Sequence, residues 1–189
     1  MESKLQYEFF FKTASPFSQF HPCNFVDLDN NKFNCTEQWM MYCKALLHTN
    51  NWKNNVLLDS YINLHKLIIK KYDLMTHNKN LDICNQILNT MEPKNIKAFG
   101  RKVVAFDPVL WDLIKQHVVI MGNTLKFMQN QHLKIILCNT ENKIIVEASP
   151  YDKIWGIGFD KTHALDNKAK WGQNLLGKSL MVVRYKLTH

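Results

Sequence analysis

Apolar residues recur at helical spacing through most of this chain of 189 residues, and this pattern favours a helix-dominated fold. The clearest stripes lie in TEQWMMYCKALLH, VLWDLIKQHVVIM and TLKFMQNQHLKIILCN. Two segments, YEFFFKT and KIIVEAS, carry the short apolar runs that are typical of strands. We therefore predict a mainly α fold with a minor β component.

Local signals place the ends of the first helices. Asn34 is expected to cap the first long helix, and Glu37, three residues later, completes a capping box. Pro93 suits the first turn of a short helix that Gly100 can close.

The second half of the chain gives further helix signals. Asp107 with Pro108 is a cap and first-turn pair for a helix over 109–121, and a separate helix is predicted over 124–139. The last apolar segment, GKSLMVVRYKL, fits a helix or a strand, and we favour the helix.

Length and composition favour one domain over 1–189, with a helical insertion around 49–90 that is rich in lysine and asparagine. No apolar run is long enough to cross a bilayer, and the start MESKLQYEFF does not resemble a signal peptide. An intracellular, cytoplasmic protein is expected, in the host cytoplasm if the source is viral. The five cysteines are odd in number and scattered, which indicates reduced thiols rather than disulfides.

The charge balance indicates the kind of partner. A net charge of +8 favours anionic partners such as nucleic acid, nucleotides or phosphosugars, and no membrane partner is expected. No CxxC or HxxxH pairing suggests zinc, so we expect no metal. No cofactor is expected either. The oligomeric state is left open.

The stretch from Glu147 to Arg184 concentrates carboxylates, indoles and glycines. Asp152 and Trp155 lie in a turn-like segment beside Gly156, where a carboxylate and an indole can approach a ligand, and the indole can stack on a base. The alternative is a structural turn in which Asp152 bonds its own backbone and the indole is core.

Shared helical faces supply a second set of candidates. Glu37 and Lys44 are seven residues apart on one helix, about 10.5 Å along its axis, so both can border one cleft. The alternative is a capping carboxylate and a solvated lysine. Lys126, Gln129 and Asn130 are predicted to share a polar face of a later helix.

Isolated polar residues complete the candidates. Asn174 and Gly177 can hold a hydroxyl or phosphate, or they can cap a helix. Arg101 is a candidate for binding a phosphate through two parallel N–H groups of its guanidinium. Ser18 and Asn24 lie among three phenylalanines that form either an aromatic rim or core.

Several blocks of the sequence together resemble the NADAR family, the YbiA-like N-glycosidases, over nearly the whole chain. The blocks are FSQFHPCNF, TEQWMMYCK, KAFGRKV, LKFMQNQHLKIILCNTENKIIVEASPYDKIWGIG and GQNLLGKSLMVVR. The resemblance implies a compact, YbiA-like single domain that cleaves bonds between a ribose C1 and a nitrogen. Two substrate classes follow from it: ADP-ribose on guanine bases, and phosphoribosylated amino-pyrimidine intermediates of riboflavin synthesis.

The resemblance also implies which residues line the active site: Glu37, Lys44, Asp152, Trp155 and Asn174. Cleavage builds positive charge on the sugar, so a carboxylate and a proton donor are needed. If the ribose ring opens, Lys44 can form a Schiff base with C1. Glu37 and Asp152 would share the acid and base roles.

The remaining roles follow from the same chemistry. Trp155 would hold the base or ribose, while Arg101 and Lys126 would neutralise phosphate. A catalytically silent module that binds ADP-ribose or nucleic acid is the alternative to an enzyme. Gln38 and Trp39 depart from the family's usual histidine and tyrosine beside the presumed cleft, so we expect altered specificity rather than loss of activity.

Overall fold

A computed structural model describes residues 6–49 and 79–189. The helices in these ranges are α1 (Thr36–Leu46), α2 (Lys79–Leu88), α3 (Pro93–Gly100), α4 (Pro108–Gln129), α5 (Gln131–Cys138), α6 (Lys161–Ala164) and α7 (Leu175–Thr188). A 3₁₀ helix covers Leu165–Lys170. The strands are β1 (Tyr7–Phe10), β2 (Phe25–Val26), β3 (Lys32–Phe33) and β4 (Ile144–Glu147). The prediction of a mainly helical fold with a minor β component is confirmed.

The described residues fall into two compact units. The sheet unit contains residues 6–21 and 127–189, and the helical unit contains residues 22–49 and 79–126. A single domain over 1–189 stays a prediction. Of the predicted insertion around 49–90, residues 50–78 lie outside the described residues, and α2 confirms a helix in its last part.

The helical unit is organised around α1, which packs against α2 and α3. The indole of Trp39 on α1 is completely buried, and its Nε1 donates a 2.8 Å hydrogen bond to the Val118 carbonyl of α4. Phe33 of β3 meets the Trp39 ring edge-on at 5.3 Å between centroids. The apolar face of α1 therefore forms the core of this unit.

In the sheet unit, β1 pairs in parallel with β4, and Tyr7 lies opposite Ile144. Helix α7 packs on β4 and on α5. One core cluster of the unit consists of Val146, Ile157 and Ala164, against which the rings of Tyr7, Phe9, Phe159 and Trp171 pack. Both strands predicted from short apolar runs are confirmed, and the last apolar segment is the predicted helix.

The predicted cap at the start of α1 is wrong. Cys35 occupies the N-cap position and makes no side-chain capping bond. The Asn34 backbone N–H instead donates to Gln38 Oε1 at 2.7 Å, and the Asn34 amide group donates to the Thr90 carbonyl at 3.2 Å. Glu37 does not complete a capping box, because Gln38 supplies the side chain that reaches back.

The predicted boundary between helices over 109–121 and 124–139 is also misplaced, since α4 runs unbroken to Gln129 and the break lies at Asn130. Gly122 does not end the helix. A Cβ atom at this position would overlap the Trp39 indole, so the glycine admits that ring. Asn130 has non-helical angles (φ −124°, ψ 88°), and it therefore does not share a helical face with Lys126 as predicted.

The start of α4 follows its sequence signal. Asp107 Oδ1 accepts hydrogen bonds from the backbone N–H groups of Val109 (2.8 Å) and Leu110 (3.1 Å), as expected of a capping carboxylate. Pro93 occupies the first turn of α3, which ends at Gly100 as predicted. Among the described helices, none is both long enough and apolar enough to span a membrane.

Candidate active site

Lys44 lies in the last turn of α1 with its side chain half-buried. Its Nζ donates a 2.9 Å hydrogen bond to the Gly100 carbonyl and lies 4.2 Å from the centroid of the Phe106 ring. Burial lowers the pKa of Lys44, the Glu37 carboxylate raises it, and the Arg101 charge lowers it. Because burial is the largest influence, a larger share of this amine is neutral than in an exposed lysine.

The helical unit therefore brings together three predicted site residues. Glu37, in the first turn of α1, is only 3% exposed, and Arg101 follows α3 directly and is exposed. Both act electrostatically on Lys44. The shared face of Glu37 and Lys44 inferred from their spacing is consistent with this interaction, while their catalytic roles stay predictions.

Lys126 lies near the end of α4 and is completely buried. Burial lowers its pKa to about 8, and the thiols of Cys23 and Cys35 act in the opposite direction. A role in neutralising phosphate stays a prediction for this residue. Nothing in the neighbouring sequence GNTLKFMQN indicates that this lysine is buried.

Gln38 and Trp39, predicted to border the cleft, both have structural roles. Both side chains are at most 1% exposed. Gln38 Nε2 donates to the carbonyls of Ile87 (2.8 Å) and Thr90 (3.0 Å), which ties α1 to α2. These contacts give both residues a role in packing within the helical unit, and the expected effect on specificity stays a prediction.

Two residues that sequence reasoning missed complete the surroundings of Lys44. Phe106 supplies the ring beside the amine, and His48 bonds the Lys44 carbonyl through Nδ1 at 2.9 Å. Phe106 lies in KAFGRKVVAFDP. Its position five residues after Arg101 is the one feature of this segment that could have identified it as a neighbour of the site. His48 has no sequence signal beyond its place one turn after Lys44.

In the sheet unit, Asp152 shapes the turn that carries Trp155. Asp152 Oδ1 accepts hydrogen bonds from the backbone N–H groups of Ile154 (2.7 Å) and Trp155 (2.9 Å). Oδ1 therefore makes the local backbone bonds expected of a structural turn. Within residues 6–49 and 79–189, Asp152 Oδ2 accepts no hydrogen bond, and it is the oxygen available to a ligand. The Trp155 indole is half-buried.

The turn is fixed against the start of α7 by backbone hydrogen bonds. The N–H groups of Leu175 and Leu176 donate to the carbonyls of Ile154 and Trp155, both at 3.1 Å. A Cβ atom at Gly156 would lie 2.8 Å from the Glu147 carbonyl oxygen, so glycine is needed for this close approach. The Asp152 and Trp155 side chains are therefore presented by a rigid backbone.

Asn174 and Gly177 join α7 to β4. The Asn174 side chain accepts a 3.0 Å bond from the Glu147 N–H and donates a 2.9 Å bond to the Ile145 carbonyl. A Cβ atom at Gly177 would overlap that same carbonyl oxygen. Both residues thus have a structural role, and a substrate contact stays a prediction.

Replacing Asn174 with alanine is expected to lower the free energy of unfolding by about 2–4 kcal/mol, because two buried backbone groups lose their partners. Urea unfolding of the variant measures the loss, with exposed Asn142→Ala as the matched control. An Asn174→Ala protein as stable as the control would contradict the structural role.

The remaining predicted residues are Ser18 and Asn24, which lie between β1 and β2. Ser18 is 6% exposed, and its Oγ accepts a 3.2 Å bond from the Phe20 N–H. Asn24 is exposed and precedes β2. Phe17 and Phe25 are buried, which favours core over an aromatic rim. Among the residues that the structure describes, no group of three or more His, Cys, Asp or Glu side chains could hold a metal ion.

Comparison with known proteins places these residues in a family. The sequence profile of the NADAR domain matches residues 9–188. An N-glycosidase of Acanthamoeba polyphaga mimivirus is 38% identical over 170 residues, covering 89% of this chain and 85% of the viral protein. Protein irg-1 of Caenorhabditis elegans is 32% identical, covering 94% of this chain and 78% of the nematode protein.

Two further matches concern riboflavin synthesis and the fold. The chloroplastic riboflavin biosynthesis protein PYRR of Arabidopsis thaliana is 30% identical over 70% of this chain, which corresponds to 21% of the plant protein. The NMR structure of the E. coli protein YbiA superimposes with a TM-score of 0.66 over 98% of this chain and 87% of YbiA, at 19% identity. The predicted YbiA-like fold is confirmed.

Proposed function

The chain belongs to the NADAR domain family and is an N-glycosidase, and we propose that its substrate is ADP-ribose attached to a guanine base of nucleic acid or of a nucleotide. The observation that carries the proposal is the half-buried Lys44 amine, which interacts with Glu37 and Arg101. An amine whose pKa is lowered by burial is more readily deprotonated for attack at ribose C1. The net charge of +8 supports a substrate with several phosphates.

In the proposed reaction, the bond between C1 and the ribose ring oxygen breaks, the oxygen takes a proton, and C1 becomes an imine of the guanine nitrogen, to which the Lys44 amine adds. The Nζ–C1 bond forms, the bond between C1 and the guanine nitrogen breaks, and that nitrogen leaves with a proton. Water then hydrolyses the imine, which frees the amine and returns the sugar aldehyde. Glu37, whose charge acts on the amine, would exchange protons with it, and Arg101 would bind phosphate.

Asp152 and Trp155 enter the proposal as separate contributors. A carboxylate oxygen such as Asp152 Oδ2 can stabilise positive charge on a sugar, and an indole can stack on a base. Their turn is rigid, which supports a positioning task.

A phosphoribosylated amino-pyrimidine of riboflavin synthesis is the second candidate substrate. The match to PYRR favours it, although the matched region is about a fifth of that plant protein. The same amine chemistry at C1 serves either substrate.

A direct competition assay separates the two candidates. The protein is incubated with a guanine-ADP-ribosylated oligonucleotide, with the same modification on a nucleotide, and with the phosphoribosylated amino-pyrimidine. Mass spectrometry then measures the sugar released. We expect kcat/KM for an ADP-ribosyl guanine substrate to be higher by about tenfold or more.

Variants define the outcomes of this assay. Asp152→Ala is expected to lose activity, whereas Lys94→Ala, an exposed lysine of α3, keeps it. Release from the amino-pyrimidine substrate alone would transfer the assignment to the second candidate. Binding of ADP-ribose without turnover of any substrate would contradict both.

A further inference from the structure

His48 makes two hydrogen bonds that only a neutral ring can make together. Its Nε2 accepts a 3.0 Å bond from the backbone N–H of Asp107, so this nitrogen carries no proton. Its Nδ1 lies 2.9 Å from the Lys44 carbonyl and is therefore the N–H donor. The ring thus links the end of α1 to the residue that caps α4.

The same link is reinforced by Asn80 of α2. Asn80 Nδ2 donates to the carbonyls of His48 (2.9 Å) and Val104 (3.0 Å), and Asn80 Oδ1 accepts from the Val104 N–H at 2.9 Å. His48 and Asn80 are at most 1% exposed. The segment 100–107 is therefore fixed to the end of α1 at both Val104 and Asp107.

This fixed segment supplies most of the described contacts of the Lys44 amine. The Gly100 carbonyl accepts the bond from Nζ, and the Phe106 ring lies beside it. The His48 ring also packs on Phe106, with 5.5 Å between centroids. Movement of the segment would remove these two contacts and expose more of the half-buried amine to water.

We propose that neutral His48 is a positioning residue that holds segment 100–107 against Lys44, and that protonation of His48 releases this segment and lowers the activity. The proposal rests on the role given to Lys44 in the proposed function. It adds a residue that touches no substrate and acts through the environment of the amine.

The direction of the pH effect follows from the burial of the ring. Burial lowers the pKa of His48, while the bond to the Lys44 carbonyl and the Asp107 charge raise it and the Lys44 charge lowers it. Lys44 of α1 and Asp107 before α4 are the charged groups that face the ring among the described residues. The stabilisation is full above the ordinary histidine pKa of 6.5 and is lost as pH falls through the lower folded value.

Two substitutions of His48 separate its bonds from its titration. His48→Gln offers one amide donor and one amide acceptor but cannot titrate, and His48→Phe keeps a ring on Phe106 without either bond. Buried Ile87→Val of α2 controls for general destabilisation.

The first measurement needs no substrate. A small amine-specific reagent acylates Lys44 at a series of pH values, and mass spectrometry measures the extent of reaction. The pH dependence gives the midpoint of deprotonation of the Lys44 amine. We expect His48→Phe to shift this midpoint upward, because the amine becomes hydrated, while His48→Gln and Ile87→Val leave it unchanged. An unshifted midpoint in a folded His48→Phe protein would overturn the proposal, whatever the substrate proves to be.

The second measurement uses cleavage activity. At pH 7.5, His48→Phe is expected to lose about tenfold in kcat, and His48→Gln is expected to keep wild-type kcat. At acid pH, the glutamine variant should lose less activity than wild type. If the activities of wild type and His48→Gln fell identically at acid pH, the proposal that protonation of His48 lowers the activity would be overturned.

A spectroscopic test on wild-type protein covers the case in which His48→Phe does not fold. Nitrogen-15 NMR should show His48 as the neutral tautomer protonated at Nδ1, and the Asp107 amide should lose its hydrogen-exchange protection as the ring protonates. The other tautomer, or protection that persists after protonation, would overturn the proposal.

Discussion

Replacing Lys44 with alanine is expected to lower the rate of N-glycosidic cleavage by about 10³-fold or more, because the proposed covalent intermediate can no longer form. The structure places this amine half-buried beside Gly100 and Phe106, and burial lowers its pKa. Activity should therefore rise with pH until the lowered pKa of Lys44 is passed. Steady-state release of the free sugar measures the loss.

Lys44→Arg is the matched control for charge. The guanidinium keeps a positive charge near Glu37 but stays protonated, so it cannot form an imine. We expect Lys44→Arg to be as inactive as the alanine variant, while exposed Lys94→Ala keeps wild-type activity. An active Lys44→Arg protein would mean that the residue acts only as a cation.

Replacing Trp39 with alanine is expected to lower the free energy of unfolding by about 3–5 kcal/mol, because a completely buried indole leaves a cavity. The Val118 carbonyl also loses its 2.8 Å hydrogen bond from Nε1. Urea unfolding, with circular dichroism to confirm the fold, measures the difference.

A double-mutant cycle with Gly122 tests the packing argument more sharply. In the wild-type background, Gly122→Ala should cost about 1–3 kcal/mol, since its Cβ overlaps the Trp39 ring. In the Trp39→Ala background the overlap is gone, and the same change should stabilise α4 by up to about 1 kcal/mol through helix propensity. Equal effects of Gly122→Ala in the two backgrounds would contradict the account of why α4 continues through this glycine.

Sequence signals correctly predicted the helix ends that are determined by neighbouring residues. Asp107 caps α4 with its own carboxylate, and Pro93 lies in the first turn of α3, so a few neighbouring residues determine both ends. The two short apolar runs form the parallel pair β1 and β4, although this pairing joins residues 7–10 to residues 144–147 and had no sequence signal.

The mistaken helix ends have causes that lie far along the chain. Gln38 replaces the predicted capping box because its amide bonds the carbonyls of Ile87 and Thr90, about fifty residues away. Gly122 resembles a helix end, yet the Trp39 ring from α1 occupies the space that the glycine leaves. Neither partner can be identified from the residues near the boundary.

The candidate site shows the same division. Helical spacing predicted a shared face for Glu37 and Lys44, and the electrostatic interaction between them is consistent with it. The contacts of the Lys44 amine with segment 100–107 could not be predicted from periodicity. The Asp152 turn was foreseen as either a site or a structural turn, and its Oδ1 bonds support the structural part. His48 was missed because its role depends on the distant Asp107 N–H.

Trapping of the covalent adduct tests the central claim, that the Lys44 amine bonds ribose C1. The protein is mixed with a guanine-ADP-ribosylated oligonucleotide and, in parallel, with the phosphoribosylated amino-pyrimidine, borohydride is added during turnover, and peptides are sequenced by mass spectrometry. We predict a reduced sugar adduct on Lys44 that is absent without borohydride and absent in Lys44→Arg. Full turnover with no adduct on Lys44, or with the adduct on another lysine, would contradict the claim.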